Sequence, residues 1–256
     1  MVHKLINMLL QTYRTDYSVL FIYYVKEIII GVIVMKSTKK IGIFNNKGGV
    51  AKTTSIINIA YCLQKSGKRV LVVDCDTQEN CFYFFFSGKV AEYILTTNFE
   101  NINHTTWKMY SNIYERISFE YDYILFDLPP TITEEIRSII KHCDTIYVPT
   151  ILGEFEIAGL RKVTEEINNQ GVKLGGVFVT MYQKQNDSEL IEEFRNILQD
   201  RLLHAVIPYS KTVRESQKAS LPIEQYFIEK SVPHNKNSWK IVYAYEELTQ
   251  EIMRSV

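Results

Sequence analysis

Phe44-Asn45-Asn46-Lys47-Gly48-Gly49-Val50-Ala51-Lys52-Thr53-Thr54 is the stretch that decides the fold of this 256-residue chain. The apolar segment 40–44 precedes it, and apolar residues recur at helical spacing between Ile56 and Leu63. A strand, a tight glycine turn and a helix that opens on Lys-Thr-Thr are typical of a phosphate-binding loop. Such a loop binds anions because the first N–H groups of a helix lack partners and carry partial positive charge.

Each residue type in this loop has a physical reason to lie near phosphate. Gly48 and Gly49 have no Cβ, so the backbone can approach phosphate oxygens closely. Lys52 adds a full positive charge, and Thr53 offers a hydroxyl to Mg²⁺. An ordinary βα turn with lysines by chance is the alternative, and it leaves the coincidence of these features unexplained. The predicted nucleotide-binding residues of the loop are Lys47, Gly48, Gly49, Val50, Ala51, Lys52, Thr53 and Thr54.

The loop departs from the usual pattern G-x-x-x-x-G-K-[ST]. Asn46 and Ala51 replace its two glycines, and Lys47 is an additional lysine. The additional lysine resembles the deviant Walker A motif, K-G-G-x-G-K-T-T, of the ParA/MinD family of ATPases. In that family it reaches the phosphates of the nucleotide held by the partner subunit, so the resemblance implies a homodimer in the ATP state. Ala51 replaces a glycine even in the deviant motif, and we expect its methyl group to slow hydrolysis without preventing binding.

Two apolar segments end in carboxylates. Segment 69–73 leads into Asp74-Cys75-Asp76, and segment 123–126 leads into Asp127. Continuous apolar runs are expected for strands buried on both faces of a parallel sheet. Open α/β sheets bind ligands at the carboxyl ends of such strands. Solvated turn aspartates would be the simpler interpretation of Asp74 and Asp76 if the phosphate loop were absent.

These two segments resemble the family motifs D-x-D-P-Q-x-N and D-x-P-P, with Thr77 in place of the first proline. By that resemblance Asp76 orients the attacking water, and Asp74 supports the lysine and Mg²⁺ region. Asp127 would hold Mg²⁺ through water, since this ion keeps several waters and takes few protein ligands. The predicted metal site is Thr53, Asp74 and Asp127. The predicted catalytic residues are Lys47, Lys52 and Asp76.

Later segments carry the other predicted contacts. By resemblance to the family, Met181, Pro208 and Tyr209 are expected near the nucleotide. From Arg201 to Lys240, seven lysines and arginines stand against three glutamates in a chain of zero net charge. Such an excess can neutralise DNA phosphates without reading sequence, although a solvated basic face has comparable weight. The predicted DNA contacts are Lys211, Arg214, Lys218, Lys236 and Lys240.

Residues 1–35 form an N-terminal extension before the predicted ATPase domain, residues 36–256. Its apolar part contains Lys26 and Glu27, and a charge at the bilayer centre costs about 2.5–3.5 kcal/mol. Three interpretations stay open: an added helix packed on the domain, a weak membrane association, or upstream sequence before a start at Met35, which we favour. The four cysteines lack C-x-x-C spacing and are expected to be reduced thiols of a cytosolic protein.

The alternation of strands and helices predicts an α/β fold, a doubly wound and mostly parallel sheet with helices on both faces. The resemblance implies a ParA-type partition ATPase with ATP and Mg²⁺ as cofactors and weak intrinsic hydrolysis. It would bind DNA nonspecifically, respond to a ParB-like adaptor and be cytoplasmic and nucleoid-associated.

The sequence also leaves three alternatives to a partition ATPase. A MinD-like membrane-cycling regulator predicts a basic C-terminal helix, whereas this chain ends with Glu246, Glu247 and Glu251. A P-loop metal or reductase-iron carrier would need bridging cysteines. A slow nucleotide-dependent binding switch is allowed by Ala51.

Overall fold

The computed structural model describes residues 38–256, except 77, 79, 86–89, 92–93, 98, 118–119 and 236. The predicted N-terminal extension therefore lies outside the described residues, as does Lys236. Within the described part, nine strands form one sheet in the order β3-β4-β5-β2-β6-β1-β7-β8-β9. The strands are β1 (Lys39–Ile43), β2 (Val70–Asp74), β3 (Val90–Ala91), β4 (Ile94–Thr96), β5 (Ile102–Thr106), β6 (Tyr123–Asp127), β7 (Thr145–Thr150), β8 (Lys173–Tyr182) and β9 (Leu202–Pro208).

The seven strands from β5 to β9 in this order run parallel to their neighbours. The short strands β3 and β4 extend one edge in antiparallel pairing. The helices are α1 (Lys52–Lys65), α2 (Asn80–Phe85), α3 (Trp107–Ile117), α4 (Glu134–His142), α5 (Glu156–Asn169), α6 (Lys184–Leu198), α7 (Thr212–Lys218), α8 (Ile223–Glu229) and α9 (Lys240–Ser255).

Helices cover both faces of the sheet. Successive residues of a strand point to opposite faces, so a continuous apolar strand has apolar side chains to bury on each face. Val70 and Val72 of β2 belong to one buried cluster, together with apolar residues of α1, α8 and α9. Leu71 and Val73 of the same strand belong to a second cluster, with residues of α3, α4, α5 and α6. Burial of a valine or leucine side chain stabilises the fold by about 1.5–3 kcal/mol. The prediction of a doubly wound parallel sheet is confirmed.

Strand β1 lies in the middle of the sheet, between β6 and β7. The connection after β1 leads past β6 to β2, whereas β7, β8 and β9 lie on the other side of β1. The loop that follows β1 is therefore at the point where the strand order reverses, where open α/β sheets bind ligands. Helix α1 ends just before Gly67, whose φ of 73° turns the chain out of the helix, and the N–H of Lys68 bonds to the carbonyl of Leu63.

Residues 81–126 are the least informative part of the sequence, and the structure places most of α2, the strands β3, β4 and β5, and α3 there. Phe84 and Phe85 of α2 are buried. Among the described residues, no helix has the length and apolar character that a bilayer crossing requires.

Candidate nucleotide-binding site

The loop between β1 and α1 has a tightly fixed backbone. Gly49 has φ 74°, and Ala51, the residue before α1, has φ 62° and ψ 33°. Both lie in the left-handed region, which glycine adopts freely and alanine does not. Asn45 anchors the loop: its side-chain amide donates to the carbonyl of Pro149 in β7 at 2.8 Å, and its Oδ1 accepts from the N–H of Lys47 at 2.9 Å.

Lys52 lies inside the loop. Its side chain is buried, and its ammonium donates to the carbonyls of Asn45 at 3.2 Å and Lys47 at 3.0 Å. Burial lowers the pKa of Lys52, and the nearby carboxylates of Asp127 and Asp76 oppose that shift. The lysine expected at the phosphates is thus held at the centre of the loop by backbone oxygens.

Sheet register brings the predicted carboxylates together. Asp74 at the end of β2 and Asp127 at the end of β6 are register partners, and Asp127 also pairs with Ile43 at the end of β1. Asp76 is half-buried beside them, and its N–H donates to Asp74 Oδ1 at 3.0 Å. All three carboxylates therefore lie at the carboxyl edge of the sheet, next to the phosphate loop.

Asp127 is almost completely buried, and burial raises the pKa of its carboxyl to about 7. The charges of Asp74 and Asp76 also raise this pKa, while the Thr53 hydroxyl and the Lys52 ammonium lower it. A carboxylate in this setting is costly to ionise unless a cation comes close to it.

The residues present fit a magnesium ion. Thr53 and Asp127 are both predicted to bind the metal, and the Thr53 hydroxyl is near enough to lower the pKa of the Asp127 carboxyl. Asp127 Oδ2 is buried with no hydrogen-bond partner in the described part of the chain. Hydroxyl and carboxylate oxygens suit Mg²⁺. No group of three or more His, Cys, Asp or Glu among the described residues could hold a metal by itself. Phosphate oxygens would have to complete the coordination.

A pocket of about 640 Å³ opens beside the loop. Ala51 and Thr54 line one side, and the predicted nucleotide contacts Met181, Pro208 and Tyr209 line the other. Met181 and Tyr209 are 39% and 51% exposed, so their side chains lie at the surface of the pocket. The structure thus brings together the loop and the late segments that the sequence placed near one nucleotide.

Lys47 lies in a different setting from Lys52. Its side chain is 45% exposed, and its ammonium forms an ion pair with Glu156, the first residue of α5. One loop therefore carries two lysines in different settings, one enclosed by the loop and the other at the protein surface. Sequence reasoning identified Lys47 but gave no signal for its partner, which is 109 residues away.

Three of the predicted DNA contacts lie on the wall of the pocket. Lys211, Arg214 and Lys218 are exposed, yet they also line the pocket through α7 and the residue before it. Lys240 is exposed at the start of α9. The basic segment and the pocket therefore share a wall, which the charge count alone did not indicate.

Comparison with known proteins identifies the family. Residues 41–223 match the model described as the CobQ/CobB/MinD/ParA nucleotide binding domain. The chain belongs to this family. The match extends from β1 to the start of α8 and includes the phosphate loop, both carboxylate-ended strands and most of the pocket. The resemblance drawn from Lys47 and the two aspartate motifs is confirmed.

The chain is similar to several named proteins. It is 25% identical over 221 residues to the chromosome-partitioning ATPase Soj of Treponema pallidum, which covers 71% of this chain and 87% of that protein. It is 26% identical over 230 residues to the sporulation initiation inhibitor protein Soj of Bacillus subtilis, covering 73% and 91%. The septum site-determining protein MinD of Pyrococcus horikoshii, solved with Mg-ADP, matches with a TM-score of 0.67 at 22% identity, over 84% of this chain and 96% of that one. This last likeness supports the fold.

Proposed function

We propose that this protein is a ParA-type partition ATPase. It binds Mg-ATP, dimerises with nucleotide between the subunits, binds DNA nonspecifically and hydrolyses ATP slowly until a ParB-like adaptor stimulates it. Association with the nucleoid follows from DNA binding. The observation that carries the proposal is the different setting of the two lysines of the loop: Lys52 is buried within it, and Lys47 lies at the protein surface.

Lys52 serves the nucleotide of its own subunit, because its ammonium lies within the loop among backbone oxygens. Phosphoryl transfer to water needs mainly positioning and charge neutralisation. Mg²⁺ held by Thr53 and Asp127 would neutralise charge on the phosphate oxygens. Asp76, which lies at the same sheet edge, would orient the attacking water.

Lys47 serves a second subunit. Its half-exposed ammonium is bound to Glu156 at the surface beside the loop, a position from which another molecule can reach it. Phe155, the residue before Glu156, is 85% exposed. An aromatic side chain this exposed beside a charged functional residue suits a protein interface. Together these features support an ATP-dependent homodimer.

Exposed cations near the pocket support binding to DNA. Lys211, Arg214 and Lys218 combine exposure with a place on the pocket wall. Nucleotide and DNA would thus act on the same short segment. The membrane-cycling alternative has weaker support, because α9 carries Glu246, Glu247 and Glu251 against two basic residues, Lys240 and Arg254, whereas a membrane-surface helix is rich in basic residues.

The test is DNA binding by the full chain with ATP, ADP or no nucleotide across a salt series. We expect DNA binding to require ATP, and we expect the logarithm of the affinity to fall linearly with the logarithm of the salt concentration. Lys240→Ala is the clean variant, since Lys240 does not line the pocket. It should reduce the salt slope by about 1 if it contacts one phosphate.

Two controls make the result decisive. Nucleotide affinity and dimerisation are measured in the same buffers, so that a protein unable to bind ATP is recognised. Absence of DNA binding in every nucleotide state, with ATP binding and dimerisation intact, would contradict the proposal. Binding to anionic vesicles in place of DNA would favour the membrane-cycling alternative.

A further inference from the structure

Helix α7 is joined to the phosphate-loop helix by a side-chain hydrogen bond. The Gln217 side-chain amide donates to the hydroxyl of Thr54 at 2.9 Å, across 163 residues of sequence. Thr54 lies in the first turn of α1 and is buried. Both residues line the 640 Å³ pocket. The bond therefore connects the wall of the pocket to the helix that carries Lys52 and Thr53.

The contact belongs to a row of polar contacts along one face of α1. Asn58, one turn after Thr54, accepts the N–H of Ile223 at 3.0 Å. Tyr61 donates to Gln225 at 3.0 Å. Residues 54, 58 and 61 share a face because they are spaced by four and three along a helix. The whole segment from α7 to α8 is thus attached to α1, and Gln217 makes the attachment nearest to the phosphate loop.

We propose that Gln217 is a positioning residue for nucleotide binding: it fixes α7 against α1 and so sets the wall against which the nucleoside part of the nucleotide packs. Thr54, the partner of Gln217, follows Thr53 directly. The phosphate loop and the pocket wall are therefore both attached to the first turn of α1. Gln217 itself needs no contact with the phosphates. The inference rests on the part of the proposed function that places a nucleotide in this pocket.

The phosphate loop does not depend on Gln217 for its own shape. Asn45, Lys52 and the backbone of residues 45–51 supply the loop's internal hydrogen bonds. Loss of the Gln217 bond should therefore weaken ligands that contain a nucleoside and spare a ligand made of phosphate alone. This difference separates a positioning role from general destabilisation.

The experiment measures the affinities of ATP, ADP and inorganic tripolyphosphate for the full chain with Mg²⁺, by calorimetry or by competition with a fluorescent ATP analogue. Gln217→Leu is expected to weaken ATP and ADP by roughly three- to ten-fold, the effect of one lost hydrogen bond. Tripolyphosphate affinity should stay within twofold. In steady-state hydrolysis, KM should rise while kcat is maintained, because the lost contact serves ground state and transition state equally.

Gln225→Leu is the matched control. It removes a hydrogen bond of the same kind, to Tyr61 on the same face of α1, but Gln225 does not line the pocket. Its nucleotide affinities should equal those of the unmodified chain. Gln217→Met, which keeps the length of the side chain, should behave as Gln217→Leu does.

A double-mutant cycle tests the pair directly. Thr54→Val should lose nucleotide affinity through the same bond, so adding Gln217→Leu to it should cause little further loss. Equal weakening of ATP and tripolyphosphate, an equal effect of Gln225→Leu, or full additivity with Thr54→Val would each overturn the inference. Unchanged ATP affinity in Gln217→Leu would do so too. If the unmodified chain bound no ATP, the proposed function itself would fail.

Discussion

Replacement of Ala51 by glycine is expected to stabilise this protein, although alanine-to-glycine changes usually destabilise. Ala51 has φ 62° and ψ 33°, and its carbonyl accepts the first hydrogen bond of α1, from the N–H of Ser55 at 2.9 Å. The left-handed conformation costs an alanine about 1–2 kcal/mol, because Cβ approaches the following carbonyl oxygen, whereas glycine adopts it freely. Glycine also makes the unfolded chain more flexible, which opposes the gain by about 0.4–1 kcal/mol.

The net increase in the free energy of unfolding therefore lies between about 0 and 1.6 kcal/mol, with a central value of ~0.8 kcal/mol. For a domain of this size, the central value corresponds to a rise in Tm of roughly 2–3 °C. The assay is urea unfolding of the full chain without nucleotide, followed by circular dichroism. Hydrolysis by the same variant also checks the sequence prediction that the Ala51 methyl group slows turnover, since glycine should then raise kcat.

Ala158→Gly is the matched control for the stability measurement. Ala158 is exposed in α5, so the same substitution there should lower the free energy of unfolding by up to about 1 kcal/mol. The two variants should change stability in opposite directions. If Ala51→Gly destabilised the chain as much as Ala158→Gly, the left-handed conformation assigned to Ala51 would be refuted.

Three further changes test other parts of the structure. Burial lowers the pKa of His104 from 6.5 to about 3, so between these pH values the unfolded chain binds a proton that the folded chain does not. As the pH is lowered through this range, the free energy of unfolding should therefore decrease by about 1.4 kcal/mol per pH unit through this contribution. His104→Gln should remove that part of the slope in urea titrations, and an unchanged slope would contradict it. Glu156→Gln should free Lys47 from its ion pair and strengthen ATP-dependent dimerisation by up to about fivefold, because an exposed ion pair contributes at most about 1 kcal/mol. Sedimentation velocity at several ATP concentrations measures the dimerisation, with Glu154→Gln as the control variant. Equal effects of the two substitutions would contradict a role for the ion pair. Leu248→Ala empties a fully buried position in α9 and should cost about 2–5 kcal/mol in urea unfolding, and a loss below 1 kcal/mol would contradict that burial.

The local part of the fold and site was predictable from the sequence because its signals are short. A strand, the phosphate loop and α1 are continuous in the chain, and the apolar runs before Asp74 and Asp127 identify β2 and β6. Parallel pairing then places both carboxylates at the carboxyl edge of the sheet, whichever positions the remaining strands occupy. The fold class and the family are confirmed.

The contacts that cross the chain were not predictable. Asn45 bonds to Pro149 across 104 residues, and Gln217 bonds to Thr54 across 163. Neither pairing leaves a periodic signal, since each depends on one polar side chain meeting one distant partner. Strand β4 pairs with β3 and with β5 in only two positions each, which is too few for an alternating pattern to appear.

The central place of β1 has a consequence during synthesis of the protein. Thr38 bonds to Tyr121, which is 83 residues later, and Lys40 bonds to Asp144, which is 104 residues later. At translation rates of about 5–20 residues per second, some 5–20 s pass between the appearance of β1 and that of both its neighbours. During this interval an apolar strand and its glycine-containing loop have no sheet to join. Among the strands that the structure describes, the one translated first thus joins the sheet late, and its unpaired edges are open to aggregation until β6 and β7 emerge.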